Sequence, residues 1–228
     1  MAEAAELRGV ESLVVAPDLL SSSTGWEIVR AQREKGAPVL EVNPDVFKSI
    51  SSKQGPQGLG AVVRQHWERL EDASLSDELC WLALDAVQDP GNLGAILRTS
   101  DAVGGAGVIL LGQGTDPHDP SAVRASMGAI FSQRLVRATF SELADWKRGR
   151  RYRLIGTSDA AARDYHGFSY DPPLVLFMGS ERQGLSAEQQ ALCDAVVRIP
   201  MVGRSDSLNL AVATGVVLYE AFNQRRSR

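Results

Sequence analysis

The run Leu174-Val-Leu-Phe-Met178 most constrains the fold, because five apolar residues follow one another with no polar position between them. A strand with one solvated face alternates apolar and polar residues. A continuous apolar strand is buried on both faces, as in a parallel sheet covered by helices. The run ends directly at Gly179, and the residues beyond it start a helix. The same strand-turn-helix rhythm recurs from residue 80 onward. Strands are expected at 80–84, 107–111, 135–136, 152–157, 174–178 and 195–199. Helices are expected from Asn92, near 121–131, at 141–147 and 187–192, and as a last apolar helix closing the chain. In such α/β sheets ligands lie beyond the carboxyl ends of the strands.

Residues 12–64 read as a smaller α/β module. Strands are expected at 12–16, 38–42 and 59–63. One helix is capped by Thr24, runs to about Glu34 and is ended by Gly36. A shorter one opens at Asn43-Pro44 and runs to Ile50, followed by a loop at 51–58. The first strand arrives with no helix before it to cover one face, so the module reads as truncated. Residues 65–78 are polar and read as a connector. The expected division is a module at 1–70, a linker at 71–78 and a main domain at 79–228.

Composition narrows the class. With 228 residues, 44% hydrophobic and 23% charged, the chain suits one ordinary domain or one domain plus a small partner. No apolar run approaches the ~20 residues that span a bilayer, and the Ala- and Glu-rich residues 1–11 carry no signal-peptide core. No membrane association is expected. Cys80 and Cys193 lie far apart without ligand spacing, which fits a reducing cytoplasm, and His66, His118 and His166 are equally scattered. No metal site is expected. The net charge of −4 is unevenly divided: residues 1–78 carry 8 Lys/Arg against 13 Asp/Glu, and the remainder 16 against 15. Lys147, Arg148, Arg150, Arg151 and Arg153 cluster, and Arg225, Arg226 and Arg228 end the chain. Such clusters either meet phosphates or form a solvated face.

Three strand-end segments carry candidate chemistry. In Asp89-Pro-Gly-Asn-Leu-Gly-Ala-Ile-Leu-Arg-Thr99, Leu93, Ile96, Leu97 and Val103 form a helical apolar stripe. Asn92 stands where turn becomes helix and suits a cap, and Arg98 suits a surface ion pair with Asp101. In Phe177-Met-Gly-Ser-Glu-Arg-Gln-Gly-Leu-Ser186, Gly179 and Gly184 permit close approach of backbone to a ligand, and Glu181 places a carboxylate in the turn. Neither the Gly-x-Gly-x-x-Gly fingerprint nor a P-loop is present. In Ile199-Pro-Met-Val-Gly-Arg-Ser-Asp-Ser-Leu-Asn-Leu-Ala, Gly203 is the flexible point, and Ser207 or Asn209 caps the last helix.

Together, in this order, the segments resemble the SpoU (TrmH-like) family of RNA ribose 2′-O-methyltransferases of the SPOUT superfamily. Asn92-Leu-Gly-Ala-Ile-Leu-Arg98 is similar to its first motif. Gly179-Ser180-Glu181 through Gly184-Leu-Ser186 is similar to its second. Ile199-Pro-Met201 with Ser207-Leu208-Asn209 is similar to its third. The resemblance covers residue 81 to about residue 224 and, less specifically, the small module as the latter part of an RNA substrate-binding domain. The short acidic N-terminal part departs from the family pattern.

The resemblance implies a parallel-sheet α/β fold with a deep C-terminal trefoil knot, a homodimer, and S-adenosyl-L-methionine bound in the knotted loops. It implies cofactor contacts at Gly179, Ser180, Ile199, Met201, Leu208, Asn209 and, from a neighbouring strand end, Thr157. It implies a catalytic set of Arg98, Asn92, Glu181, Ser207 and Asn209 acting on a ribose 2′-hydroxyl in tRNA or rRNA. A guanidinium does not release its proton near neutral pH, so the expected role of Arg98 is to orient the oxygen and stabilise its charge. A non-catalytic RNA-binding protein or chaperone keeping the fold is the alternative. A nucleotide-dependent oxidoreductase lacks its fingerprint.

Overall fold

The computed structural model describes residues 9–51 and 54–227. The readings of residues 1–8, of positions 52 and 53 in the loop and of Arg228 lie outside the described residues. The chain forms two compact units, divided between His66 and Trp67.

The first unit is a three-stranded sheet in the order β2-β1-β3, built from β1 (Val10–Val15), β2 (Val39–Glu41) and β3 (Leu59–Val63). β1 runs parallel to β2 and antiparallel to β3. Helices α1 (Ser23–Glu34) and α2 (Pro44–Ile50) complete it. Leu13, Val15, Leu20 and Val29 make its core. The cap of α1 is Ser22, two residues before the expected Thr24, its hydroxyl accepting from the Gly25 N–H at 3.2 Å. Asn43 caps α2, with Pro44 in the first turn, where its missing N–H costs nothing.

The second unit is a seven-stranded sheet ordered β6-β5-β4-β9-β7-β10-β8, in which every pair is parallel. Its strands are β4 (Trp81–Asp85), β5 (Gly107–Leu111), β6 (Arg134–Ala138), β7 (Arg153–Thr157), β8 (Arg163–Asp164), β9 (Leu174–Met178) and β10 (Ala195–Arg198). The continuous apolar runs are buried on both faces. Leu82, Leu84, Leu174, Leu176 and Met178 pack to one side, against Leu93, Ile96 and Leu97 of α3 (Pro90–Ala102) and Leu210, Val217 and Leu218 of α7 (Leu210–Arg226). Trp81, Ala83, Val175 and Phe177 pack to the other, where Leu143 of α5 (Phe140–Arg148) covers them. Fully burying each Leu or Ile on these faces contributes about 1.5–3 kcal/mol.

Four expectations change. The helix expected near 121–131 is a short α4 (Pro120–Ala125) and a separate 3₁₀ turn (Ala129–Phe131). Met127 and Gly128 between them adopt left-handed backbone, with φ of 50° and 99°, and break the helix. Residues 67–78, which read as a connector, pack on the sheet. Ala73 is fully buried, the Glu68 N–H donates to the Leu135 carbonyl at 2.8 Å, and Arg134 reaches Glu68 and the carbonyls of Asp72 and Ser74. β8, two exposed residues, has no apolar signal. The basic cluster is mostly engaged. Lys147 pairs with Asp194, Arg148 with Asp145 and Arg153 with Asp171, while Arg150 donates to the Glu71 carbonyl and lies over Trp146.

Between α6 (Ala187–Leu192) and β10, Asp194 fastens three elements. Burial pushes its carboxyl up, but the Leu154 N–H at 2.8 Å and the Lys147 ammonium at 3.0 Å outweigh it and hold it below the ordinary range. A depressed folded-state value stabilises the protein above the unfolded-state value and loses that effect as pH falls through the folded one. The thermal midpoint should therefore drop as the pH falls below the ordinary aspartate value of 3.8, and Asp194→Asn should show a shallower drop. Identical acid profiles for the two proteins would refute this.

Among the described residues no helix is long and apolar enough to cross a membrane, and no cluster of three His, Cys, Asp or Glu side chains could hold a metal ion. Cys80 and Cys193 are free thiols, which burial pushes up to about 12.

Candidate functional site

The carboxyl ends of β9, β7 and β10 open on a cavity of about 780 Å³. Three loops surround it: the turn after β9, the 158–160 segment after β7 and the long loop between β10 and α7. The turn after β9 is tight. The Gly184 N–H donates to the Ser180 carbonyl at 3.0 Å, and Gly184 takes φ +64°. A Cβ on Gly179 would sit 2.1 Å from the Gly184 carbonyl carbon. Glycine at 179 is thus required by the turn's own backbone, rather than by approach of a ligand.

One hydrogen-bonded chain ties the three motifs. The Glu181 carboxylate accepts from the Gln88 N–H at 3.0 Å, from the Asp89 N–H at 3.4 Å and from Asn92 Nδ2 at 3.1 Å. Asn92 Oδ1 then accepts from Asn209 Nδ2 at 2.9 Å, and Asn209 Oδ1 accepts from the Ala211 and Val212 N–H groups at the start of α7. Each link fixes the next. A carboxylate accepts, so Asn92 must present its amide nitrogen to Glu181. Its oxygen is left for Asn209, whose own oxygen is left for the helix. Glutamate or aspartate at 92 or 209 would lose a donor from this chain.

Asn92 is therefore not the cap of α3. Asp89 is, its carboxylate accepting from the Asn92 N–H at 2.8 Å. Of the two candidates for α7, Asn209 is the cap. Gly94 allows α3 to pack on α4, since a Cβ there would lie 2.4 Å from the Ala122 carbonyl oxygen.

Asn92, Thr157, Gly179, Ser180, Glu181, Ile199, Met201, Ser207, Leu208 and Asn209 all line the cavity. Arg98 does not. It is exposed on α3, and Asp101, its expected partner, instead accepts from the Ser132 hydroxyl at 2.6 Å. Six residues beyond Asn92, Arg98 lies about 9 Å along the helix and on another face. Sequence reasoning missed Ser158, Asp159 and Ala160, which the strand-end rule could have located at the tip of β7. It also missed Gln88, which no local signal marks.

The cavity suits an amphipathic ligand. Met178, Leu185, Val197 and Leu210 supply apolar wall. Within the described residues, Ile199, Met201, Ser207 and Leu208 enter no hydrogen bond through their backbone groups, leaving donors and acceptors for a ligand.

The sequence matches the SpoU rRNA Methylase family over residues 80–219, more than half of the chain. The chain belongs to this family. A relative, the 23S rRNA (uridine(2479)-2′-O)-methyltransferase of Streptomyces viridochromogenes, is 36% identical over 195 residues, 82% of this chain and 68% of the relative. An AdoMet-bound rRNA methyltransferase from Sinorhizobium meliloti superposes with a TM-score of 0.85 at 38% identity, covering 95% of this chain and 80% of that one. The SpoU methyltransferase AviRb from S. viridochromogenes superposes with a TM-score of 0.88 at 33% identity, covering 99% and 86%.

Proposed function

We propose that the chain transfers a methyl group from S-adenosyl-L-methionine to a ribose 2′-hydroxyl of RNA, with ribosomal RNA the first substrate to test. The carrying observation is the Glu181–Asn92–Asn209 chain, which fastens all three motif loops around one amphipathic cavity. Family membership and similarity to AdoMet-bound rRNA methyltransferase structures support the reading.

Gly179, Ser180, Ile199, Met201, Leu208, Asn209 and Thr157 would hold the cofactor. Bound there, it supplies an electrophilic methyl carbon. The chain's own task is to bring a 2′-oxygen in line and to ease loss of its proton. Glu181, Asn92 and Asn209 keep the loops in place, and Ser207 stands at the cavity for the incoming ribose. Arg98 is assigned to orient the oxygen and stabilise its growing negative charge, with water or a phosphate taking the proton. It lies outside its own chain's cavity, so we assign that role to the Arg98 of a second copy in a homodimer. An exposed apolar stripe on α7 supports such pairing, with Val212 53% and Tyr219 46% exposed one heptad apart. Sedimentation giving a monomer at micromolar concentration would remove the dimer.

The deep trefoil knot, which membership of the family implies, is part of the same proposal. An experimentally traced chain that pulls straight from its two ends would refute it. The first unit is assigned to RNA docking and the protein to the cytoplasm, where its substrate resides. Deleting residues 1–66 should weaken RNA binding and spare cofactor binding.

Calorimetry tests the cofactor assignment. S-adenosylmethionine and its demethylated product should both bind, and Leu208→Asp should weaken both by about tenfold or more, by placing an unpaired carboxylate at the cavity. Absence of binding even with RNA present would overturn it.

A further inference from the structure

A second cavity, of about 440 Å³, lies at the same carboxyl edge of the sheet, one strand over. Its floor is apolar, from Leu84 and Leu110. Its wall is the backbone of the 112–115 loop, and Arg137 stands at its side. The wall is fixed in advance. The Thr115 N–H donates to the Val87 carbonyl at 2.7 Å and the Ala86 N–H to the Leu111 carbonyl at 2.9 Å. A Cβ on Gly114 would meet the Val87 carbonyl oxygen at 2.5 Å, so loop and strand end are in direct backbone contact. Ala86 holds a left-handed φ of 46° there, a conformation that non-glycine residues adopt only rarely.

The cation at this cavity is also held in place. The Arg137 guanidinium lies 4.4 Å from the ring centroid of Trp67, which itself meets the His118 ring edge-on. Arg137 forms no ion pair among the described residues, so its charge is available to a ligand. Gln88 joins this cavity to the first. Its N–H donates to Glu181, and its Nε2 donates to the Gln113 carbonyl at 2.9 Å.

We propose that this second cavity binds an unstacked nucleobase of the RNA substrate, flanking the ribose presented at the cofactor cavity. A nucleobase needs apolar surface for its faces, donors and acceptors for its edge, and a cation for the attached phosphate or for stacking. These are the floor, the backbone wall and Arg137. The proposal rests on the reading of the first cavity as the methyl-transfer site, because only then does the adjacent pocket receive RNA. Gln88 bonds to one lining residue of each cavity, Glu181 of the first and Gln113 of the second, so a base seated in one fixes the register of the ribose at the other.

The test uses the whole chain saturated with S-adenosylmethionine, so that added nucleotides cannot enter the cofactor cavity. Each of the four ribonucleoside 5′-monophosphates is titrated to millimolar concentration, with inorganic phosphate as the control, and backbone amide resonances are followed by NMR. At least one nucleotide should shift the amides of Gly112, Gln113, Gly114 and Thr115 in a saturable way. Arg137→Ala should weaken that binding about tenfold while leaving cofactor affinity unchanged. No loop shift with any nucleotide, equal shifts with phosphate alone, or undiminished shifts in Arg137→Ala would each overturn the proposal. Failure of S-adenosylmethionine to bind at all would instead refute the reading of the first cavity.

Discussion

Arg98→Ala should lower the rate of methyl transfer about a hundredfold or more, equivalent to about 2.7 kcal/mol of transition-state stabilisation. Arg98 is exposed and belongs to no ion pair among the described residues. Its removal should therefore cost under about 1 kcal/mol of stability. Cofactor affinity should barely move, because no side chain lining the cofactor cavity is altered. Arg98→Lys keeps the charge but loses the planar fork, so it should rescue little. Mixing Arg98→Ala with a chain disabled at the cavity, such as Leu208→Asp, adds a sharper check. If each cavity uses its partner's arginine, the mixed dimer retains one intact site and regains activity. Full turnover by Arg98→Ala on its true RNA would end the catalytic assignment.

Gly179→Ala should weaken S-adenosylmethionine binding about a hundredfold or more, the largest effect expected of one methyl group. The new Cβ would lie 2.1 Å from the Gly184 carbonyl carbon and 2.3 Å from the Leu185 nitrogen. Both obstacles are backbone, so no side-chain rotation relieves them. The turn must open, carrying Glu181 away from Gln88, Asp89 and Asn92. Gly184→Ala is the comparison. Its Cβ meets nothing within 4 Å, and only the φ of +64° opposes it, at about 1–2 kcal/mol. Calorimetry on both variants should find the Gly184 change much the milder, and wild-type affinity in Gly179→Ala would contradict the account of the turn.

Much of the sheet was legible because burial on both faces leaves an unbroken apolar run. The strands at 107–111 and 174–178 lie where such runs placed them. Asn43-Pro44 declared a helix start through chemistry confined to a few neighbouring residues. Polar meetings between distant loops were not legible in the same way. The three segments pointed to a shared site by family likeness, yet nothing local shows that Asn92 spends its side chain on Glu181 and Asn209 rather than on its own helix. Gly179 is required, but by a turn whose closure depends on Gly184. Residues 67–78 looked like a linker because their few apolar members, Trp67, Leu70, Ala73 and Leu75, are spaced irregularly among charges, yet these are the residues that pack. The basic run at 147–153 read as either a phosphate surface or a solvated face, because two of its acidic partners, Asp194 for Lys147 and Asp171 for Arg153, lie far from it in the sequence. Arg98 carries the sharpest lesson. Its motif position points to the site, but the helix turns it away from the cavity that the other motif residues line.

Methyl transfer resolved by nucleoside tests the central claim most directly. The protein is incubated with S-adenosylmethionine labelled in its methyl group and with ribosomal RNA transcribed in vitro, which carries no modification. The RNA is then digested to nucleosides and separated. The expected result is label in one 2′-O-methylnucleoside and none on any base. Label on a base, or no transfer to ribosomal or transfer RNA by a protein shown to bind the cofactor, would contradict it.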